Sequence, residues 1–554
     1  MPKIEVNALE LSRLAGLPDL SPSDLERRLA VMKGELDGWE DDTAKIELND
    51  TNRPDLWCVE GVARALRCAE NGSESHLSTL PEPQAVVEVD ACMEGIRPYV
   101  AVFRARGWAP DRQGLDSLIA TQEKLTESFG RSRSTAAIGF HRADLVDFPV
   151  RYAGVSPDSA MVPLGHSEEM TLAEVVEQTE KGRLYGPLIA ERELYPALVD
   201  GDGRVFSFPP VLNSQVTGQV RPGDDDLFCD VTGTDWHTVQ LTAAILACNL
   251  EDRGAEILPI EVAYPYDTPG GRKVVCPLVY ADSREVALDE LEKLLGASVG
   301  ADMAVGALNR LDYASVAVRD GFIRGTMPPY RHDGIHAVDM VEDVAIGVGY
   351  DHFTPVLPGD YTVGRPAPEE QLADAVRLLL VGAGCEEILR PVLGSEERLS
   401  AGREGSSPPV RLANPMTLEY GAVRNSLLPG LLDVESVSGR AAYPHRLFEV
   451  GEVLHRGERG LVETSILVAA LICGNRVDLG EAHSLLGALC HRRGLELSLT
   501  EAEDGRFIPG RCARVEIGGG AAGIIGEVHP AMLERWGVER PAAAFELELA
   551  SLGG

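Results

Sequence analysis

Pro328 and Pro329 mark a break that no helix crosses, because each lacks a backbone N–H and locks its own φ. The residues beyond them, in 328-PPYRHDGIHAVDMVEDVAIGVGY-350, read as a short amphipathic helix from Val338 onward. Val338, Val341, Val344 and Ala345 recur at helical spacing and form one apolar face. Asp339, Glu342 and Asp343 share the opposite face at i, i+3 and i+4, and Asp333 arrives from the turn ahead. Like charges so spaced repel by roughly 0.2–0.5 kcal/mol a pair, so the set needs a cation or a helix dipole. Donors that are all oxygen suit Mg²⁺, which takes carboxylates and retains water. The other reading of the spacing is that Asp339 caps the helix and its neighbours are a solvated first turn.

At 554 residues the chain is too long for one core, and about 150 residues per domain gives three or four. The formal charge of −36 argues on its face against a nucleic-acid partner, since phosphate binding wants a basic footprint. Lys is nearly absent and Arg carries the positive charge, however, so the balance speaks about solubility and not about the partner. The ten Cys show no C-x-x-C pair, which points to buried free thiols and not to structural zinc. The N-terminus has no apolar signal region, and runs such as 465-SILVAALICG-474 are too short to span a bilayer. A reduced, cytoplasmic, membrane-free protein is expected.

The order of elements predicts an α+β multidomain chain. Residues 4–10 alternate like a strand, and 46-IELNDTNRPDLWCVEGVARALRCAE-70 reads as strand, Asx-rich turn and helix. The Ser/Pro/Glu-rich link 72–84 ends a first α/β domain, 1–85. A second domain, 86–260, includes strands at 86–90 and 98–107 and a helix from 113 to Gly130. Arg131 and Arg133 follow it, either as a phosphate contact or as a solvated helix end. His141, after an apolar strand, is a candidate more often structural than catalytic. A third domain, 261–360, opens with a strand at 273–280 and helices at 284–295 and 300–313, then a hairpin at 315–327. That order resembles a winged-helix module, although the second helix is poor in basic residues. The last domain, 361–554, alternates helices and strands as a large, mostly antiparallel sheet with flanking helices. No phosphate loop, GxGxxG or HExxH is present.

The second polar concentration is 207-SFPPVLNSQVTGQVRPGDDDLFCDVTGTD-235. Asn213, Ser214 and Thr217, then Asp230, Thr232, Thr234 and Asp235, place amide, hydroxyl and carboxylate groups on loops beside short strands. Such a set binds a small polar ligand and holds a water, or it is turn chemistry between strands. It holds no Ser/His or Cys/His pair, so covalent catalysis is not indicated.

Several stretches, in order over essentially the whole chain, carry a resemblance. They are 49-NDTNRPDLWCVEGVAR-64, 97-RPYVAVFRARG-107, 130-GRSR-133, 137-AIGFHRADL-145, 208-FPPVLNS-214, 230-DVTGTD-235, 328–350, 412-LANPMTLEYGAVRNSLLPGLL-432, 447-LFEVGEVL-454 and 523-GIIGEVHP-530. Together they resemble the phenylalanyl-tRNA synthetase beta subunits of the archaeal and eukaryotic kind. The resemblance implies an enzyme of two alpha and two beta chains that joins L-phenylalanine to tRNA(Phe) with ATP, the chemistry being in the alpha subunit. It implies that the last domain is class II synthetase-like and has lost catalysis, and that the acidic helix is a Mg²⁺ site of Asp333, Asp339, Glu342 and Asp343. The middle domain would edit by hydrolysing tyrosine wrongly attached to the tRNA, with Asn213, Ser214, Thr217, Asp230 and Thr232 as pocket candidates. Thr179 stands where the resemblance leads one to expect a histidine. It also implies that the chain has no added oligonucleotide-binding barrel and no ferredoxin-like anticodon module. A free-standing deacylase and a purely structural subunit are the competing expectations.

Overall fold

The computed structural model describes residues 3–18, 20–50, 52–403, 407–457 and 459–553. Thr51, in the Asx-rich turn, lies outside the described residues. The chain divides into two compact units, Met1–Leu357 and Pro358–Gly554. No helix among the described residues is long and apolar enough to cross a membrane. All ten Cys are free, and all but Cys92 are buried.

The first unit opens with an antiparallel three-stranded sheet in the order Lys3–Asn7, Thr43–Leu48, Gly34–Glu40. The strand expected over 4–10 stops early. Asn7 accepts a hydrogen bond from the Glu10 amide, caps the chain and starts the helix Ala8–Ala15. Helix Val59–Asn71 follows as expected, and Gly61 is obligatory there, since a Cβ would sit 1.7 Å from the Asp55 carbonyl oxygen. The link at 72–84 does not separate two cores, because His76 and Leu77 are buried in it. One apolar cluster includes Ile4, Val62, Phe103, Leu246 and Cys276.

A ten-stranded sheet dominates this unit. Strand Asp226–Gly233 lies between Tyr99–Arg106 and Ala136–Arg142, antiparallel to both, with Asp230 opposite Gly139 on one side and Val102 on the other. Helix Trp236–Asp252, apolar nearly all round, is buried from Thr238 to Leu250. The strand expected to open a third domain, observed as Lys273–Cys276, pairs instead with Glu256–Ala263 and extends this sheet. The boundary expected at 260 therefore falls inside the sheet.

Beyond it, the helix expected from 284 begins as a strand, Ser283–Ala287, and turns helical only over Leu288–Leu295. The strand wins because Phe322–Thr326 offers it an edge to pair with. Helix Ala301–Arg310, the hairpin Ala314–Arg319 with Phe322–Thr326, and helix Ala337–Val348 complete a small module with its own core. Val341 and Val344 face that core and Ala345 is buried, but Val338 is half exposed and Asp343 is turned inward.

The second unit is a seven-stranded, mostly antiparallel sheet containing His445–Arg456, Val462–Cys473 and Ala542–Glu548. Helices Pro368–Gly382 and Leu479–Arg493 contribute to one apolar cluster, and Leu428–Val437 and Pro530–Trp536 to another.

Candidate functional site

In the first unit, a cavity of about 290 Å³ opens where the sheet meets helix Arg112–Lys124 and the segment 209–218. Its walls are mainly apolar, with Leu118, Ile138, Phe140, Phe208 and Val211 among them, and its polar wall includes Asp230, Asn213, Ser207 and Gln122. Asp230 is only 1 % exposed. Its Oδ2 lies 2.9 Å from His141 Nε2 and 3.4 Å from Ser207 Oγ. Among the described residues, Oδ1 has no hydrogen-bond donor.

Of the five pocket candidates, Asn213 and Asp230 reach the cavity. Asn213 donates to the Phe140 carbonyl at 3.3 Å. Ser214 and Thr217 stand behind the wall: Ser214 caps the short helix Gln215–Gly218, and Thr217 contacts His141 Nδ1 at 3.0 Å. Thr232 is not part of the wall. Its hydroxyl and carbonyl both accept from the buried Arg97, at 3.1 and 2.6 Å. Thr179 is buried and caps a helix through the Gly182 amide.

Sequence reading missed Ser207, Gly139 and Gln122 as members of this site. Gly139 had left a signal, a glycine inside an apolar strand, which often marks a close approach. A Cβ there would lie 2.1 Å from Asp230 Oδ2. Arg133 belongs to the same wall, neither solvated nor free. It donates to the Pro210 and Val211 carbonyls at 3.1 and 3.0 Å and lies over the Tyr185 ring at 4.1 Å. Arg131, Ser132 and Arg133 all have positive φ, a costly run for non-glycine residues, and it ends on the residue that braces the wall.

The four acidic candidates do converge. Asp333, Asp339, Glu342 and Asp343 line a cavity of about 60 Å³ together with Lys33, Arg53 and Arg331. Asp333 accepts from Arg331 through both oxygens, at 3.0 and 2.6 Å. Burial alone would raise its pKa, but Arg331 holds it well below the usual carboxylate range. Asp343 Oδ2 accepts from Tyr313 at 2.7 Å and Arg331 at 2.8 Å. Asp339 Oδ2 accepts from the Ile335 and His336 amides at 2.7 and 2.6 Å, so it caps the helix from its third residue, with His336 and not Asp339 at the N-cap position. Glu342 Oε1 meets Lys33 at 2.6 Å. Among the described residues, one oxygen each of Asp339, Glu342 and Asp343 has no donor.

The cluster in which three metal-type ligand atoms already stand together is Glu74, His76 and Asp252. Two guanidiniums take the cation's place there. Arg64 lies 2.7 Å from Asp252, which Arg67 also contacts. Burial would lower the His76 pKa, yet the hydrogen bond to Asp252 and the nearby Asp312 carboxylate carry it up to about 9.

A family profile described as the phenylalanyl tRNA synthetase beta chain CLM domain matches residues 354–549, and one described as the tRNA synthetase B5 domain matches residues 284–350. A phenylalanine–tRNA ligase beta subunit of Thermococcus gammatolerans is 37% identical over 573 residues, covering 100% of this chain and 99% of the relative. The beta subunit of Treponema pallidum is 37% identical over 523 residues, covering 92% of this chain and 86% of the relative. The crystal structure of an N-terminal fragment of the Pyrococcus horikoshii phenylalanyl-tRNA synthetase beta subunit superposes with a TM-score of 0.60 at 35% identity. That match covers 63% of this chain and 100% of the fragment. With identities above 30% along its full length, the chain belongs to the family of phenylalanine–tRNA ligase beta subunits.

Proposed function

We propose that this chain is the non-aminoacylating subunit of a phenylalanine–tRNA ligase of two alpha and two beta chains, and that its first unit clears mischarged Tyr-tRNA(Phe). L-Phenylalanine and ATP would react in the alpha subunit. In this reading, residues 1–85 are an N-terminal α/β domain and the large sheet is the editing domain. The module from Ser283 is winged-helix-like, and the second unit is a class II-like domain without catalysis. The second unit's cavity supports its silence, because its arginines are spoken for. Arg390 and Arg398 both contact Asp433, and Arg424 meets Glu449 at 2.6 Å. An arginine so paired is a poor ligand for a nucleotide phosphate.

The observation that carries editing is the apolar cavity ending on the buried Asp230 carboxylate. A hydroxyl added to a substrate is poorly rejected by an apolar synthetic pocket, so a second site must recognise it. A tyrosine hydroxyl donates to Asp230 Oδ1, whereas phenylalanine leaves that oxygen desolvated and without a donor. Ser207 and Asp230 share the wall, but no imidazole joins them there, so among the described residues no Ser/His or Cys/His pair faces the cavity, and in this reading water attacks the ester. Replacing Asp230→Ala in the alpha–beta complex should lower Tyr-tRNA(Phe) clearance by about 10–100-fold, the worth of a hydrogen bond to a charged group. Clearance equal to wild type would remove Asp230 from the site.

The acidic cluster fits Mg²⁺ in part. The donor set is all oxygen and the cavity has room for a few waters, which suits an ion that keeps its hydration. The free oxygens of Asp339, Glu342 and Asp343 would hold it through those waters. Asp333 would not be a ligand, since Arg331 occupies both its oxygens. When bound, the ion would offset the like charges of this helix turn.

A further inference from the structure

We propose that His141 is a positioning residue for the cavity: it holds Asp230 by one oxygen, at the end of a directed chain of hydrogen bonds that starts at Ser214. This deepens the editing reading and rests on it for its functional consequence. The chain is short and wholly buried. Ser214 Oγ lies 3.0 Å from Thr217 Oγ1, Thr217 Oγ1 lies 3.0 Å from His141 Nδ1, and His141 Nε2 lies 2.9 Å from Asp230 Oδ2. Ser214, Thr217, His141 and Asp230 are 5, 3, 0 and 1 % exposed.

An ionised carboxylate only accepts, and with a neutral imidazole beside it this fixes the direction of every bond behind it. His141 must then carry its proton on Nε2 and donate it to Asp230. Nδ1 is left as an acceptor, and the Thr217 hydroxyl fills it. Thr217 Oγ1 in turn accepts from the Ser214 hydroxyl, whose own acceptor capacity takes the Thr217 amide at 3.3 Å. Every donor has one acceptor and the sequence ends on the negative charge. Phe206 meets the imidazole edge-on, with ring centroids 5.0 Å apart, so no water competes from that side. Gly139 leaves room for the bonded pair, since a Cβ would collide with both Asp230 Oδ2 and His141 Nε2. Oδ2 is thereby committed to the protein and Oδ1 is kept for the ligand. Ser214 and Thr217 act through His141 and do not touch the ligand.

The test uses the alpha–beta complex with His141→Gln and His141→Asn. Gln places an amide donor near the Nε2 position and Asn only near Nδ1. Clearance of Tyr-tRNA(Phe), as kcat/KM, should fall about 10–100-fold in His141→Asn, the worth of a hydrogen bond to a charged group. His141→Gln should stay within about threefold of wild type, because its donor reaches Asp230. Equal clearance by the two variants, whether both high or both low, overturns the proposal. If wild-type complex clears no Tyr-tRNA(Phe), the editing reading fails, and the relay is judged by imidazole nitrogen resonances of the labelled full chain. A His141 proton on Nε2, with the Nδ1 resonance moved by Thr217→Val, sustains the relay. A proton on Nδ1 overturns it.

Discussion

Asp230 and Asp343 are both carboxylates on a cavity wall, 1 and 7 % exposed, yet they are held by opposite kinds of partner. In the proposed relay Asp230 is gripped by neutral donors, an imidazole and a serine hydroxyl, beside apolar walls. Asp343 is gripped by a guanidinium and a phenol, and Arg331 is shared with Asp333. A full ion pair answers a buried charge with another charge and leaves little for a ligand. A neutral grip stabilises the carboxylate while preserving its negative charge for whatever enters. In the proposed reading, the difference separates a carboxylate whose paired oxygen builds the fold from one that is set to read a ligand.

That contrast breaks first, and by the largest amount, at Asp343. Asp343→Ala leaves the buried Arg331 with Asp333 alone, and Arg331 Nη1 already has no partner among the described residues. Removing one member of a buried ion pair costs about 3–5 kcal/mol. Urea unfolding of the full chain followed by fluorescence should show this loss in the first unit's transition. A cost below about 1 kcal/mol, the worth of an exposed pair, would mean that the cluster is wet and that the two carboxylates are not opposites.

His76 sharpens the comparison, since it is an imidazole placed among charges. It lies 3.0 Å from Asp252 and 3.7 Å from Asp312. Its folded pKa, up to about 9, stands above the ordinary value of 6.5. The stability it contributes is therefore complete below pH 6.5 and is lost as pH rises through 9. The loss is up to about 3 kcal/mol, at 1.36 kcal/mol per pH unit of difference. Unfolding midpoints of wild type between pH 6 and 9.5 should fall, and His76→Phe should flatten that dependence. A flat wild-type profile would show that the imidazole gains nothing from its acidic neighbours.

What was legible follows from the range of the forces. Helix Trp236–Asp252 and strands His445–Arg456 and Val462–Cys473 were readable, because composition and alternation set them locally. Strand Ser283–Ala287 was not, because its choice depends on an edge supplied by Phe322–Thr326 much later in the chain. The candidate site divides the same way. Asp230 and Asn213 stood out as polar groups beside strands, but the sequence does not state that His141 and Gly139 lie across the sheet from Asp230. That is a matter of strand register. Arg331 sits two residues from Asp333 and was in plain view, yet Tyr313 and Lys33 reach the acidic helix only through folding. Thr232 and Ser214 were chosen for residue type, and their hydroxyls are spent on Arg97 and on a helix cap.

The smallest effect is expected at Glu342, and it decides whether the acidic cluster belongs wholly with Asp343. Its side chain is 51% exposed and pairs with Lys33 across the surface. Glu342→Gln should cost less than about 1 kcal/mol, as exposed pairs do. Asp343→Ala cannot test for the metal, because its cost comes from Arg331 whether or not an ion is present. Glu342→Gln can. If the free oxygens hold a hydrated Mg²⁺, wild type should gain thermal stability with Mg²⁺ and lose it with chelator, as any ligand of the folded state requires. The variant should then respond less at every Mg²⁺ concentration. No response in wild type would make the cluster a closed ion network, with Lys33 and Arg331 as its cations. An equal response in both proteins would move the ion away from this helix.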